Sequence, residues 1–434
     1  MNPLKQLFGS RGGNVGQYGM IVALILIVAI FEVATHWLTL NPTNVINVFQ
    51  QYSYILILAL GMVMVIIAGH IDLSVGSIAA FVGIIVAQAM SQWHWSWWAA
   101  IILGLVIGAL VGAWQGFWVA FVRVPAFIVT LAGQLIFRGA NQWIGNSTSV
   151  GVPDSYQVIG GGFIPDFGPN TGFSNGTLLL GLITIAALIW NEARGRAKRR
   201  KMGADVVPMW VSVVRTGVLV LVTLFATYLF AAGSVGTSFP VVAIIAGILT
   251  ILYGFITRNT IFGRQVYAVG GNANAAALSG VNIRKVNFFV MANMSVLAAI
   301  AGMVYVGYAG ASGPADGTGW ELDAIAAVFV GGAAVSGGIG TVAGSIVGAL
   351  VMALLQNGLQ LLGAESNLQQ IIRGLVLLLA VAFDVYSKTQ GRPSLTGRLL
   401  RGASGGRGSK TDAATPAPAA QPQSIDDQST VSLP

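Results

Sequence analysis

Cysteine is absent from this 434-residue chain, so disulfides, thiolate metal sites and cysteine nucleophiles are excluded. Charge is scarce as well. Asp, Glu, Lys and Arg together make up 8% of the residues, where soluble proteins carry about a quarter. So few charges cannot cover the water-facing surface of a large soluble protein. The one tempting metal pair, His70-Ile71-Asp72, supplies too few ligands to hold an ion. Nucleotide motifs are missing too. Residues 337–344 have the glycine spacing of a dinucleotide fingerprint, but no strand precedes them. In 405–411 the lysine follows a serine rather than a glycine, in a tail with no strand or helix pattern. No Ser-His-Asp arrangement stands out.

What is present is apolar. Hydrophobic residues make up 55% of the chain and the mean hydropathy is +0.77. Runs long enough to span a bilayer fall at 18–38, 50–68, 75–91, 97–121, 126–144, 177–191, 210–232, 238–257, 287–309, 322–336, 340–362 and 367–386. They predict an all-α polytopic membrane bundle of about twelve transmembrane helices. The runs 177–191 and 322–336 are the shortest. No small-residue cleavage site follows the first run, which reads as an uncleaved anchor. Residues 1–17 form an N-terminal segment and 18–388 the membrane domain. The Gly/Ser- and Ala/Pro-rich residues 389–434 have the composition of a disordered tail.

The basic residues set an orientation. Arg194, Arg196, Lys198, Arg199, Arg200 and Lys201 lie in 192–205, and Arg258, Arg264, Arg284 and Lys285 lie in 258–286. More follow in the tail. The alternate loops 145–176, 233–237, 310–321 and 363–366 have no Lys or Arg, but hold Asp154, Asp166, Asp316, Glu321 and Glu365. The positive-inside rule then places both termini and the basic loops in the cytoplasm. The net charge of +8 is a topology signal, and nucleic acid is not an expected partner.

Within the spans, two hairpins look alike. One breaks at 69–77 and the other at 336–345, both breaks end in Gly-Ser-Ile, and both face the cytoplasm in this topology. Broken helices of this kind mark transport pathways. Glycines at 104, 108, 112 and 116, and again at 340, 344 and 348, recur every four residues and favour close helix packing within the subunit; a dimer seam is the alternative. Asp72 in the first break is read as a helix cap or brace, with ion or proton binding as the alternative. Glu32 and His36 share a helix face and suggest a polar pair. Arg138 and Arg373 should face protein or water. Trp93, Trp95, Trp97 and Trp98 suggest an interfacial aromatic belt. Trp114 and Gln115, beside the glycine stripe, are pathway candidates, as are Ser74, Asn141 and Asn357.

The stretch Gly263–Gly280 is polar and lies between two apolar spans. Its glycines bracket a short Ala-rich helix, Ala273 to Leu278, of the kind a soluble partner can grip. The candidate coupling residues are Gly263, Arg264, Tyr267, Gly270, Gly271, Asn272, Ala276, Leu278, Ser279 and Gly280.

Four segments carry a family likeness: I-D-L-S-V-G-S (71–77), V-P-A-F-I-V-T-L-A-G (124–133), F-G-R-Q-V-Y-A-V-G-G-N with A-A-A-L-S-G-V (262–281), and E-L-D-A-I-A-A (321–327). With these the chain resembles, over roughly residues 15–388, the permease subunits of bacterial sugar ABC importers of the ribose/xylose type. Within that group it looks most like the D-xylose and multiple-sugar permeases. His70 departs from the pattern, which has Gly or an acidic residue before Ile-Asp. The resemblance implies a ten-helix permease core with an inserted pair around 177–232. It implies a second copy of the chain, a cytoplasmic ATPase and a periplasmic sugar-binding protein as partners, in a bacterial inner membrane. It further implies that ATP and Mg are used by the ATPase and that this chain binds no cofactor. Two competing readings are an ion-coupled secondary transporter using Asp72 and Glu32, and an integral-membrane enzyme.

Overall fold

The computed structural model describes residues 15–389 except 170 and 204–207. The expected N-terminal segment and tail, with the 405–411 lookalike, lie largely or wholly outside the described residues. The helices are α1 (Val15–Ala34), α2 (Pro42–Ile67), α3 (Val75–Ser91), α4 (Trp97–Phe117, continued by a π-turn at Trp118–Val122), α5 (Ala126–Ile144), α6 (Asp154–Gly161), α7 (Asn175–Lys201) and α8 (Met209–Ala231). They continue with α9 (Val241–Asn259), α10 (Ile261–Gly271), α11 (Ala273–Leu278), α12 (Ile283–Ala309), α13 (Trp320–Val330), α14 (Val342–Leu361) and α15 (Ser366–Thr389). Each of the twelve apolar runs coincides with a helix. Among the described residues, however, eight helices are long and apolar enough to cross a membrane: α2, α4 with its π-turn, α7, α8, α9, α12, α14 and α15.

Two of the remaining runs are half-helices. At 1.5 Å per residue, the 11 residues of α13 reach only about 16 Å. The 17 residues of α3 start well inside the bundle. Helices α2 and α12 form the hub, and α2 is buried along almost its whole length. Halfway along α12, Ser295 sits beside Gln115, and Gln115 beside Ser74 at the start of α3. The start of α13 lies at the same level: a Cβ on Gly76 would meet the Gly317 carbonyl oxygen at 2.1 Å. From this junction the two half-helices diverge. Gln88 of α3 donates to the Ile144 carbonyl, where the chain enters the segment 145–176 that carries Asp154 and Asp166. The far end of α13 leads into the turn 331–341, where Gly338 N donates to the Ile67 carbonyl at 2.8 Å and a Cβ on Gly338 would strike Gly271. One end of the bundle is therefore acidic and the other basic.

This corrects the expected breaks. The first does not stay at the surface: residues 68–74 run from the basic end into the bundle. Its counterpart is not 336–345 but 310–319, which runs inward from the acidic end. The order long helix, inward segment, half-helix, two further helices occurs twice, as α2–α5 and α12–α15, with opposite direction. The short sequence likeness at Gly-Ser-Ile pairs segments that are not equivalent in this arrangement.

The glycine stripes pack helices of one subunit. Cβ atoms on Gly104, Gly108, Gly112 and Gly116 would press within 2.5–2.8 Å of Met303, Ala299, Ala292 and Phe288 of α12. On α14, Gly344 and Gly348 lie against the carbonyl oxygens of Gly331 and Ala327. Glu32 does not pair with His36; its carboxylate accepts from Leu40 N at 2.7 Å, because α1 ends at Ala34 and His36 has turned into the left-handed region. The segment 145–176 is more ordered than a plain loop. It contains α6, whose Tyr156 is fully buried and donates to the Met303 carbonyl, and a two-residue strand that pairs Val150 with Ser312.

Candidate functional site

The junction of the half-helices gathers polar groups into the apolar bundle. Helix N-termini carry partial positive charge and tolerate carboxylates. The site follows that rule, with Asp72 just before α3 and Glu321 and Asp323 in the first turn of α13. Asp72 is fully buried. Its Oδ1 accepts from Ser74 N at 2.8 Å and from Ser74 Oγ at 2.6 Å, an Asx-type turn that leads the chain into the helix. Ser74 Oγ in turn accepts from Gln115 Nε2 at 2.7 Å, and Ser295 Oγ donates to Gln115 Oε1 at 3.4 Å. Across the Gly76–Gly317 contact, Gln134 Nε2 donates to Glu321 Oε1 at 3.0 Å and Arg138 donates to the Thr318 hydroxyl. Asn141 reaches the Gly313 and Pro314 carbonyls. Trp114 meets Phe137 edge-on at 5.9 Å and remains partly exposed. Deeper in the bundle, Asp323 pairs with Arg373 at 3.3 Å.

Of the pathway candidates, the structure brings Asp72, Ser74 and Gln115 together, with Trp114 and Asn141 at their edge. Asn357 lies elsewhere. It exchanges hydrogen bonds with Asn44 at 2.9 and 3.0 Å, near the start of α2 at the acidic end, where two amides satisfy each other between packed helices. The junction also contains Gln134, a polar group of the fifth apolar run, and Glu321 and Arg138, which sequence reasoning did not place there. The usable signal was E-L-D directly after the glycines at 313, 317 and 319, which marks a helix start rather than a surface loop.

A cleft of about 760 Å³ opens at the basic end below this junction. It is bounded by Gly69–Ile71, by the π-turn with Arg123, and by Ala277, Asn282 and Arg284.

The second candidate region, 260–282, is built from successive caps. Thr260, Asn272 and Asn282 accept from Gly263 N, Ala275 N and Lys285 N at 3.0–3.1 Å, starting α10, α11 and α12. Such caps each contribute about 1 kcal/mol. Gly280, with φ +84°, makes the left-handed turn after α11. Helix α11 is the one foreseen, Ala273–Leu278; α10 before it is an addition. Leu278 is 92% exposed, and Arg264, Asn272 and Ser279 are exposed as well. Ala276 is not part of that outer face: it is 5% exposed and packs inward, because a six-residue helix lying on the bundle must bury one side. Gly263, Gly270 and Tyr267 also face the protein. A Cβ on Gly263 would strike the Ile256 carbonyl at 2.3 Å, and one on Gly270 the Ile67 carbonyl at 1.6 Å. Tyr267 donates to the Gly340 carbonyl at 2.8 Å. Burial raises its pKa, partly offset by the Arg258 charge, so the hydroxyl keeps the proton this bond needs. The region thus touches the end of α2 at Ile67, where the first inward segment starts, and the turn after α13 at Gly338 and Gly340.

Residues 44–381 match the family described as branched-chain amino acid transport system / permease component. The chain is 38% identical over 383 residues to the xylose transport system permease protein XylH of Haemophilus influenzae, covering 88% of this chain and 99% of that protein. The corresponding protein of Escherichia coli K12 is also 38% identical over 383 residues, 88% of this chain and 94% of that one. The ribose import permease protein RbsC of the same strain is 33% identical over 368 residues, 85% and 93% of the two chains. No solved structure matches. The family match takes in both half-helices, the polar junction and the capped loop at the basic end, and this chain is a member of that transport permease family.

Proposed function

We propose that this chain is the membrane subunit of an ATP-driven importer that carries a monosaccharide, a pentose such as xylose, across a bacterial inner membrane. The observation that carries the reading is the near end-to-end likeness to xylose permeases at 38% identity. The junction suits the cargo: hydroxyl, amide and carboxylate groups offer hydrogen bonds to a neutral polyol, and the cleft below offers a way out at the basic end. The ion-coupled reading is not favoured, since Asp72 is committed to Ser74 and the family is that of transport-system permeases.

In this reading both termini and the basic end face the cytoplasm, as the positive-inside rule requires. A periplasmic binding protein delivers sugar at the acidic end. A cytoplasmic ATPase, using ATP and Mg, docks on the exposed side of α11 through Leu278 and Ser279, with Arg264 beside them. Two copies of the chain, embedded in lipid, enclose the path. The broad apolar face of α5 next to Gln134 and Arg138, with Leu131 and Leu135 exposed, supports such pairing. Labelled xylose uptake into proteoliposomes holding the chain, the ATPase and the binding protein tests the reading. Uptake should require all three proteins and ATP. Accumulation driven by an ion gradient with no ATPase present would overturn it.

A further inference from the structure

Helices α7 and α8 form a hairpin that joins the bundle mainly at the acidic end. There Leu229 and Phe230 pack on Val45 and Ile46, and Thr177 accepts from Phe239 N at 2.9 Å. Along most of their length they are exposed. At the basic end a small cleft of about 80 Å³ opens between them, lined by Glu192, Arg196, Arg199, Val211, Ser212 and Arg215. Three guanidinium groups face one carboxylate there. Arg196 donates to the Ser212 hydroxyl, which fixes one wall. Arg199 and Arg215 make no ion pair among the described residues, and Arg215 sits inside a helix apolar enough to cross a membrane. An arginine at that depth is costly unless an anion meets it.

We infer that this cleft binds the phosphate of an anionic phospholipid, which pins the basic end of the hairpin to the headgroup layer. Guanidinium forks match phosphate oxygens, and basic pockets between helices at a membrane surface are suited to anionic headgroups. The exposed apolar sides of α7 and α8 leave room for the acyl chains, so a lipid fits better than a soluble phosphate. The inference rests on the hairpin lying in a bilayer and not on the import reading.

The test is native mass spectrometry of the full chain, titrated in detergent with phosphatidylglycerol or phosphatidylcholine. The double substitution R199Q/R215Q should weaken phosphatidylglycerol retention about thirtyfold, from two lost basic contacts. R199K/R215K, which keeps both charges, should retain most of it. Thermal melting should be unchanged in both, which separates binding from folding. Equal retention of the two lipids, unchanged phosphatidylglycerol retention in the glutamine variant, or a lysine variant as weak as the glutamine one would each overturn the inference. Displacement of the lipid by millimolar inorganic phosphate would show a soluble-anion site instead, and would overturn it as well.

Discussion

The two half-helices solve one problem in different ways. Both begin inside the bundle, and both place carboxylates at a helix N-terminus, where the backbone dipole favours negative charge. At α3, Asp72 is held by neutral donors only, the amide and hydroxyl of Ser74. At α13, Asp323 is held by the Arg373 guanidinium, with the Tyr54 hydroxyl at 3.4 Å. The comparison teaches that the first arm depends on local hydrogen-bond geometry, whereas the second depends on a charge brought by α15, 50 residues away in sequence.

The largest expected effect follows from that ion pair. Arg373→Leu leaves Asp323 buried without its counter-charge, which costs about 3–5 kcal/mol. The purified protein should melt far earlier or fail to accumulate, and an unchanged melting temperature would remove the distinction between the arms. Next comes the contact the arms share. Gly76→Val drives a side chain into the Gly317 carbonyl, and overpacking against backbone costs about 1–3 kcal/mol; both stability and sugar uptake should fall. Asparagine substitutions sharpen the contrast. Asp72→Asn keeps the acceptor for Ser74 and should cost under about 1 kcal/mol with most uptake retained. Asp323→Asn loses the ion pair and should be the more damaging of the two; equal melting curves would show that charge matters at neither site. The smallest effect is expected at the loop. Tyr267→Phe removes one hydrogen bond to the turn that follows α13, about 1 kcal/mol, and should loosen the coupling of ATP hydrolysis to transport while leaving assembly intact. Leu278→Asp, on the outer face of α11, should instead weaken ATPase binding in a pull-down, with the melting curve unchanged.

The corrected position of Ala276 shows where sequence reasoning stopped. The short helix from Ala273 to Leu278 could be read from its breakers, because glycines and an Asn cap act locally. Which side of that helix is covered depends on the bundle beneath it, and six residues of mostly alanine carry no amphipathic pattern to reveal it. A bulky residue at 276 therefore tests packing, and Leu278 is the position that tests docking.

The chain's own sequence determined the membrane class, the helical segments, the alternation of basic and acidic ends and the family motifs. These depend on composition, on runs of apolar residues and on charges near span ends, all of which are local along the chain. Only the tertiary structure decided that two of the runs are half-helices meeting halfway along α12, that Glu321 and Arg138 join Asp72 at that junction, and that Asn357 does not. The reason is physical: an inward segment and a surface turn use the same glycines and caps. What separates them is whether another helix, here the Gly-notched neighbours around Gly76 and Gly317, leaves space for backbone to enter the bundle.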